Sequence, residues 1–158
     1  MSVCRKFITD ATLRNLAKWL RLLGYDTKVF PGKAGREMLR IAQSEDRIVL
    51  TRRADMVERQ FSGLLYLLPH SDIASQLTAV INKFSIKIEK QKMFTICLKC
   101  NKSLQSVALE DVRDMVPVYV FEHCVNFNQC PVCGNIYWKG THRRNSLQFL
   151  QKNKIKVN

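Results

Sequence analysis

Hydrophobic and polar positions along the first 85 residues switch between a short apolar run and a helical spacing, and the switches predict strands and helices in turn. Phe7-Ile8-Thr9 is a short apolar strand ending on Asp10. Over Thr12–Leu23, apolar Leu13, Leu16, Ala17, Leu20 and Leu23 recur at helical spacing, with Arg14, Lys18 and Arg21 assigned to the opposite face. Gly24 is the expected stop, because glycine tolerates the left-handed turn that ends many helices. Thr27–Phe30 reads as a second strand, closed by Pro31-Gly32. A second helix over Arg36–Glu45 turns Met38, Leu39, Ile41 and Ala42 inward. The run Arg47–Thr51 is apolar enough for a central strand buried on both faces. A helical segment near Ala54–Gln60, a fourth strand at Leu64–Leu68 and a last helix, capped by Ser71 or Asp72 and running to Lys83, complete the series.

Strands alternating with helices predict an α/β fold, a parallel sheet flanked by helices. The functional crevice of such a sheet lies beyond the carboxyl ends of its strands. Asp10, the Thr51–Asp55 turn and the Pro69–Asp72 turn fall there. The charged stretch 86–95 reads as a connector into a second, cysteine-bearing module. Three units are therefore expected: an α/β domain over 1–88, a zinc-ribbon module over 89–144, and a basic C-terminal tail over 145–158.

The second module is defined by Cys97-Leu98-Lys99-Cys100 and Cys130-Pro131-Val132-Cys133, two knuckles with 29 residues between them. A two-residue gap lets both thiolates of a knuckle face one ion, and four thiolates complete a tetrahedral zinc site. Four protein ligands leave no open position, so this zinc is structural. Cys4, Cys124 and His123 have no partner at such a spacing. A disulfide framework is the poorer reading, since no secretory signal precedes the first strand. That also predicts a cytoplasmic location, with the nucleus as the alternative. The longest apolar runs, Leu64–Leu68 and Val116–Phe121, fall far short of the roughly 20 residues that span a bilayer. No membrane partner is expected.

Charge changes the picture more than composition does. The 158 residues carry 26 Lys and Arg against 13 Asp and Glu, a net +13. Residues 1–90 hold 16 basic and 9 acidic side chains (+7), and 91–158 hold 10 and 4 (+6), so both parts share the excess. An imbalance of this size is costly through self-repulsion and points to a polyanion, nucleic acid foremost. The candidate contacts are Arg14, Lys18 and Arg21 on the first helix, Arg52 and Arg53 after the third strand, and His142, Arg143 and Arg144 beside Tyr137 and Trp138. Asp10 is the candidate ligand for a divalent cation that activates water, with Glu37, Asp55 and Asp72 as its possible partners and Glu37 and Asp55 the preferred ones. Each acid also has an ordinary reading, Asp10 and Asp72 as helix caps, Glu37 and Asp55 as solvated residues.

Several segments together resemble one known family. They are Phe7-x-x-Asp10, Leu13-x-x-Leu16-Ala17-x-Trp19-Leu20-Arg21-x-Leu23-Gly24-Tyr25-Asp26-Thr27, Leu39-x-Ile41-Ala42, Arg47–Arg52, and the two knuckles running on through Tyr137-Trp138 to Gly140-Thr141-His142. The chain is similar over residues 7 to about 150 to the Mut-seven C-terminal RNase domain family. The resemblance implies a PIN-like nuclease fold with a zinc ribbon. It also implies a place in RNA processing, alone in prokaryotes or as the C-terminal domain of Nibbler- and Mut-seven-type 3′-to-5′ exoribonucleases of small-RNA silencing. Asp10 matches the family's first acidic position. Thr51-Arg52 matches its Thr-Arg-Asp motif, but Arg53 takes the third place, and Gly35-Arg36 stand where relatives keep an aspartate. Arginine suits phosphate rather than a cation. The expectation is an RNA-binding module, with single-stranded RNA as partner and its own ribonuclease activity weak or lost. One alternative is an active Mg²⁺- or Mn²⁺-dependent ribonuclease using Asp10, Glu37 and Asp55. The other is a protein-docking module of an exonuclease or silencing complex. Removing zinc is expected to unfold the ribbon and leave the sheet domain largely intact.

Overall fold

The computed structural model describes residues 4–158, so residues 1–3 of the expected first unit lie outside the described residues. Four parallel strands, β1 (Phe7–Asp10), β2 (Thr27–Phe30), β3 (Ile48–Thr51) and β4 (Leu65–Leu67), form a sheet in the order β2-β1-β3-β4. The central strands β1 and β3 are buried at every position, as their apolar sequences require, while β2 and β4 are half-buried edges. Helices α1 (Arg14–Leu22) and α2 (Arg36–Glu45) join the first three, and α3 (Ile73–Lys83) follows the fourth.

Alternation along the central strands sends successive side chains to opposite faces, and this sorts the helices into layers. Phe7, Ile48 and Leu50 share a core with Leu16 and Leu20 of α1 and Leu77 and Val80 of α3. Ile8 and Val49 point the other way, onto Met38, Leu39 and Ala42 of α2 and onto Met56. Two local details differ from the sequence pattern. The expected helix over Thr12–Leu23 begins as a 3₁₀ turn (Ala11–Leu13), because the Asp10 carboxylate caps Thr12 and holds the entry tight. The segment after β3 is likewise a single 3₁₀ stretch, Ala54–Glu58. Asp72 is the cap of α3, its carboxylate accepting from Ser75 N at 2.9 Å.

A second sheet is antiparallel, β5 (Gln105–Val107), β6 (Phe127–Gln129) and β7 (Ile136–Trp138), in that order. A short helix, α4 (Val118–His123), precedes β6, and Val112, Val116 and Phe127 form a small core beneath it. The last helix, α5 (Thr141–Lys152), follows β7.

The connector and the basic tail both pack against the core of the parallel sheet. The stretch 86–95 is not a free connector: Ile86, Ile88 and Met93 are buried in the core shared by α1 and α3. Gly24 marks how close it passes, since its φ is +95° and a Cβ there would lie 2.4 Å from the Lys92 carbonyl oxygen. Residues 145–158 are not a solvated tail. Leu150 and Ile155 enter the same core, and Phe149 stacks on Trp19 with ring centroids 4.5 Å apart. The chain end pairs with the connector, Asn158 N donating to Ile88 O at 2.7 Å and Lys90 N to Asn158 O at 2.9 Å. Apolar residues spaced between lysines bury their faces here, while the lysines remain exposed.

Candidate metal centre and nucleic-acid face

The two knuckles fold alike because their sequences make the same turn. In the first, Asn101 N donates to Cys97 O at 2.9 Å and Cys97 N to Lys102 O at 2.8 Å; in the second, Gly134 N donates to Cys130 O and Cys130 N to Asn135 O, both at 3.0 Å. Each turn closes on a residue of positive φ, Asn101 at 61° and Gly134 at 78°. Asparagine and glycine are the types that accept that region readily. Backbone N–H groups then point at sulfur, Cys100 N at Cys97 Sγ and Val132 N at Cys130 Sγ, both 3.4 Å.

The four sulfurs of Cys97, Cys100, Cys130 and Cys133 lie within 4.8 Å of one another. Cys97 Sγ and Cys133 Sγ are 3.7 Å apart. A tetrahedron with zinc–sulfur bonds of ~2.3 Å has sulfur–sulfur edges of about 3.8 Å, so the pocket fits that ion. All six cysteines are free thiols. Crowding separates the thiols' proton affinities. Burial, with hydrogen bonds from Cys133 and Cys130, pushes the Cys100 thiol up to about 12. Burial also opposes ionisation at Cys130, but the N–H groups of Cys133 and Val132 outweigh it and bring that thiol to about 7. The four cysteines could hold a zinc ion through all four thiolates, which leaves no coordination position for chemistry. Tyr137 lines the site, its hydroxyl 3.3 Å from Cys97 Sγ and accepting from Leu98 N at 3.2 Å. Trp138 packs on Phe127 in the small core. Neither aromatic is a free stacking platform.

At the carboxyl ends of the parallel strands the three candidate acids are held apart. Among the described residues, the cysteines are the one set of three or more His, Cys, Asp or Glu side chains close enough to share an ion. Asp10 is only 4% exposed and is occupied with Thr12, whose N–H and hydroxyl both donate to its Oδ1, at 2.9 and 2.5 Å. Asp55 is gripped by the fork of Arg53, Nε to Oδ1 at 3.1 Å and Nη2 to Oδ2 at 3.0 Å. The third nitrogen, Nη1, donates to Ala34 O at 3.2 Å. Glu37 is exposed and lies 3.7 Å from Arg40.

The candidate basic residues divide into two kinds. Arg14, Lys18, Arg52, His142 and Arg144 are exposed. Arg53 is half-buried on Asp55, and Arg143 lies over the Phe94 ring at 4.2 Å, where burial lowers its pKa. Arg21 was expected on the polar face and is not there. It is 8% exposed, with Nε donating to Thr27 O at 2.8 Å and Nη1 to Leu98 O at 2.8 Å and Lys99 O at 3.3 Å. Burial lowers its pKa, with Cys97 and Asp26 acting in the opposite direction.

Sequence reasoning passed over a second buried cation, at the same amino-terminal end of the strands as Arg21. Arg47, also 8% exposed, donates to Phe7 O at 3.1 Å, to Asp26 at 2.7 Å and to Glu45 at 3.1 Å. Asp26 also accepts from Asn101 Nδ2 at 2.5 Å. Burial disfavours the Asp26 carboxylate, but the hydrogen bonds from Arg47 and Asn101 prevail and hold its pKa below the ordinary value. An arginine and an aspartate flanking the central strands were the available signal; the partners, 21 and 75 residues away, were not.

A family model described as the Mut7-C RNAse domain matches residues 5–150, nearly the whole chain. No curated protein and no solved structure matches it. Among the described residues, no helix is long and apolar enough to cross a membrane.

Proposed function

The chain belongs to the Mut7-C RNAse domain family, and we propose that this member is an RNA-binding module of RNA processing whose own nuclease activity is weak or lost. The observation that carries the reading is the Arg53–Asp55 fork. Asp55, the candidate acid that follows the third strand, is already neutralised by an arginine. Gathering Asp10, Glu37 and Asp55 round one ion would break that fork, release the Asp10 cap and draw Glu37 from its exposed helix face. In this reading the sheet is a PIN-like nuclease fold whose strand ends have changed from binding cations to binding phosphate. The net charge of +13 supplies the sequence-independent attraction for a single-stranded RNA. Exposed Arg14, Lys18, Arg52, His142 and Arg144 make the contacts, and zinc on the four cysteines holds the ribbon. Small-RNA silencing and a cytoplasmic location belong to the same proposal.

The test is incubation of end-labelled single-stranded RNA with purified protein, with and without Mn²⁺, beside a binding titration. Binding without metal-dependent cleavage is expected. Cleavage that needs Mn²⁺ and disappears in Asp10→Asn would instead establish the active ribonuclease.

A further inference from the structure

The first knuckle is built into the edge of the parallel sheet, through a buried side chain that neither phosphate binding nor zinc ligation uses. Arg21 leaves the last turn of α1 four residues after buried Ala17 and spans two elements. Its Nε donates to Thr27 O at the start of β2, and its Nη1 to the Leu98 and Lys99 carbonyls between the two cysteines of the knuckle. Asn101, the next residue after the knuckle, clamps the same place from the other side. Its Oδ1 accepts from Thr27 N at 2.9 Å and its Nδ2 donates to Asp26. Both backbone polar groups of Thr27, the first residue of edge strand β2, are therefore satisfied by residues that act with the knuckle. Phe94 N, donating to Leu22 O at 2.9 Å, ties the approach to the knuckle onto the end of α1.

We infer that Arg21 is a positioning residue of the zinc centre, and that metal occupancy is thereby coupled to the order of α1 and β2. The inference rests on zinc occupying the four thiolates. Four thiolates on Zn²⁺ carry a net double negative charge, and Arg21 is the buried cation facing that knuckle. Its fork fixes the turn whose carbonyls it binds, as outer-sphere partners orient the ligands of other metal sites. When the metal leaves and the knuckle loosens, Arg21 loses the Leu98 and Lys99 acceptors while still buried. Thr27 loses Asn101. The disturbance falls on α1 and β2, which carry these groups, while β3 and β4 supply none of them. Metal loss thus reaches into the sheet domain, contrary to the expectation that the ribbon would unfold alone.

The experiment uses the full chain, with one zinc per chain first shown by elemental analysis. Zinc transfer to a chromogenic chelator is followed for wild type, Arg21→Gln, Arg21→Lys and Lys33→Gln. Arg21→Gln should lower zinc affinity by about tenfold or more, the size typical of outer-sphere replacements. Arg21→Lys should fall between, since an ammonium keeps the charge but cannot span both elements. Lys33→Gln removes an exposed charge beyond the far end of β2 and should change nothing. Hydrogen exchange on wild type, before and after chelation, should show faster exchange at residues 27–30 and in the last turn of α1, with 48–51 unchanged. This readout stands even if Arg21→Gln does not fold. Equal zinc affinity in Arg21→Gln and wild type, or β2 exchange indifferent to the metal, would overturn the coupling while leaving the zinc site intact. A chain without zinc would overturn both.

Discussion

Leu150 and Leu147 lie one turn apart on α5, yet the first is 1% exposed in the main core and the second is 38% exposed. Replacing each in turn with alanine makes the same chemical change on the same helix, so the difference between the variants reports packing alone. Alanine improves helix propensity by a few tenths of a kcal/mol at either site, and this cancels. At Leu150 the change removes a buried side chain and leaves a cavity beside the sheet, which costs about 3 kcal/mol within a range of about 2–5. At Leu147 much of the side chain already meets water, and about 0.5 kcal/mol is expected. A chain of this length loses about 2–4 °C of Tm per kcal/mol. Leu150→Ala should therefore melt about 6–12 °C lower than wild type, and Leu147→Ala within about 2 °C. Thermal unfolding followed by circular dichroism, with zinc kept saturating throughout, measures both. Small and equal shifts would mean that 145–158 is the solvated tail its lysines suggest, and that the burial of Leu150 and Ile155 in the sheet domain's core is wrong.

Three further outcomes are expected. Replacing Cys130 with serine should abolish the single bound zinc, and in wild type zinc retention should fall as pH is lowered, because protons compete with the metal for thiolates; elemental analysis after dialysis across a pH series checks both. The Asp26 pKa is depressed in the folded chain, so its contribution is present above the ordinary carboxylate value and is lost as pH falls through the folded one; Asp26→Asn should melt below wild type at neutral pH, with the gap closing in acid. Arg52→Ala and Arg144→Ala should each weaken RNA binding alike for different sequences and reduce the salt slope by a bit under one unit, whereas Arg53→Ala should mainly free Asp55, and a loss of affinity no greater for Arg52 than for Arg53 would count against the assignment of contacts.

What could be read from the sequence and what could not divide along the range of the interactions. The helix over Arg36–Glu45, the Asp72 cap and the β2 strand were legible because apolar spacing, capping and Pro-Gly punctuation are local. The four-cysteine cluster was legible because each knuckle's geometry is set within four residues. Arg21 was misread because the backbone carbonyls that decide its fate lie 77 and 78 residues on. The one local hint was its spacing from Ala17, which sets it at the margin of the apolar face. The packing of residues 86–95 and 145–158 was not legible for a related reason. Their lysines dominate the composition, while Ile86, Ile88, Leu150 and Ile155 are too few to form a pattern and are buried only by contact with each other's surroundings. At the strand ends, the departure of Arg53 from the family pattern was visible. Its pairing with Asp55, which turns a missing acid into a neutralised one, required the structure.

The central claim is that the exposed cations hold RNA by its phosphates, and fluorescence anisotropy of a labelled single-stranded RNA against salt concentration tests it most directly. If four of the exposed cations contact phosphate, log K should fall linearly with log[salt] at a slope of about −3, with little change between RNA sequences. No binding at low salt, or an affinity indifferent to salt, would contradict the account.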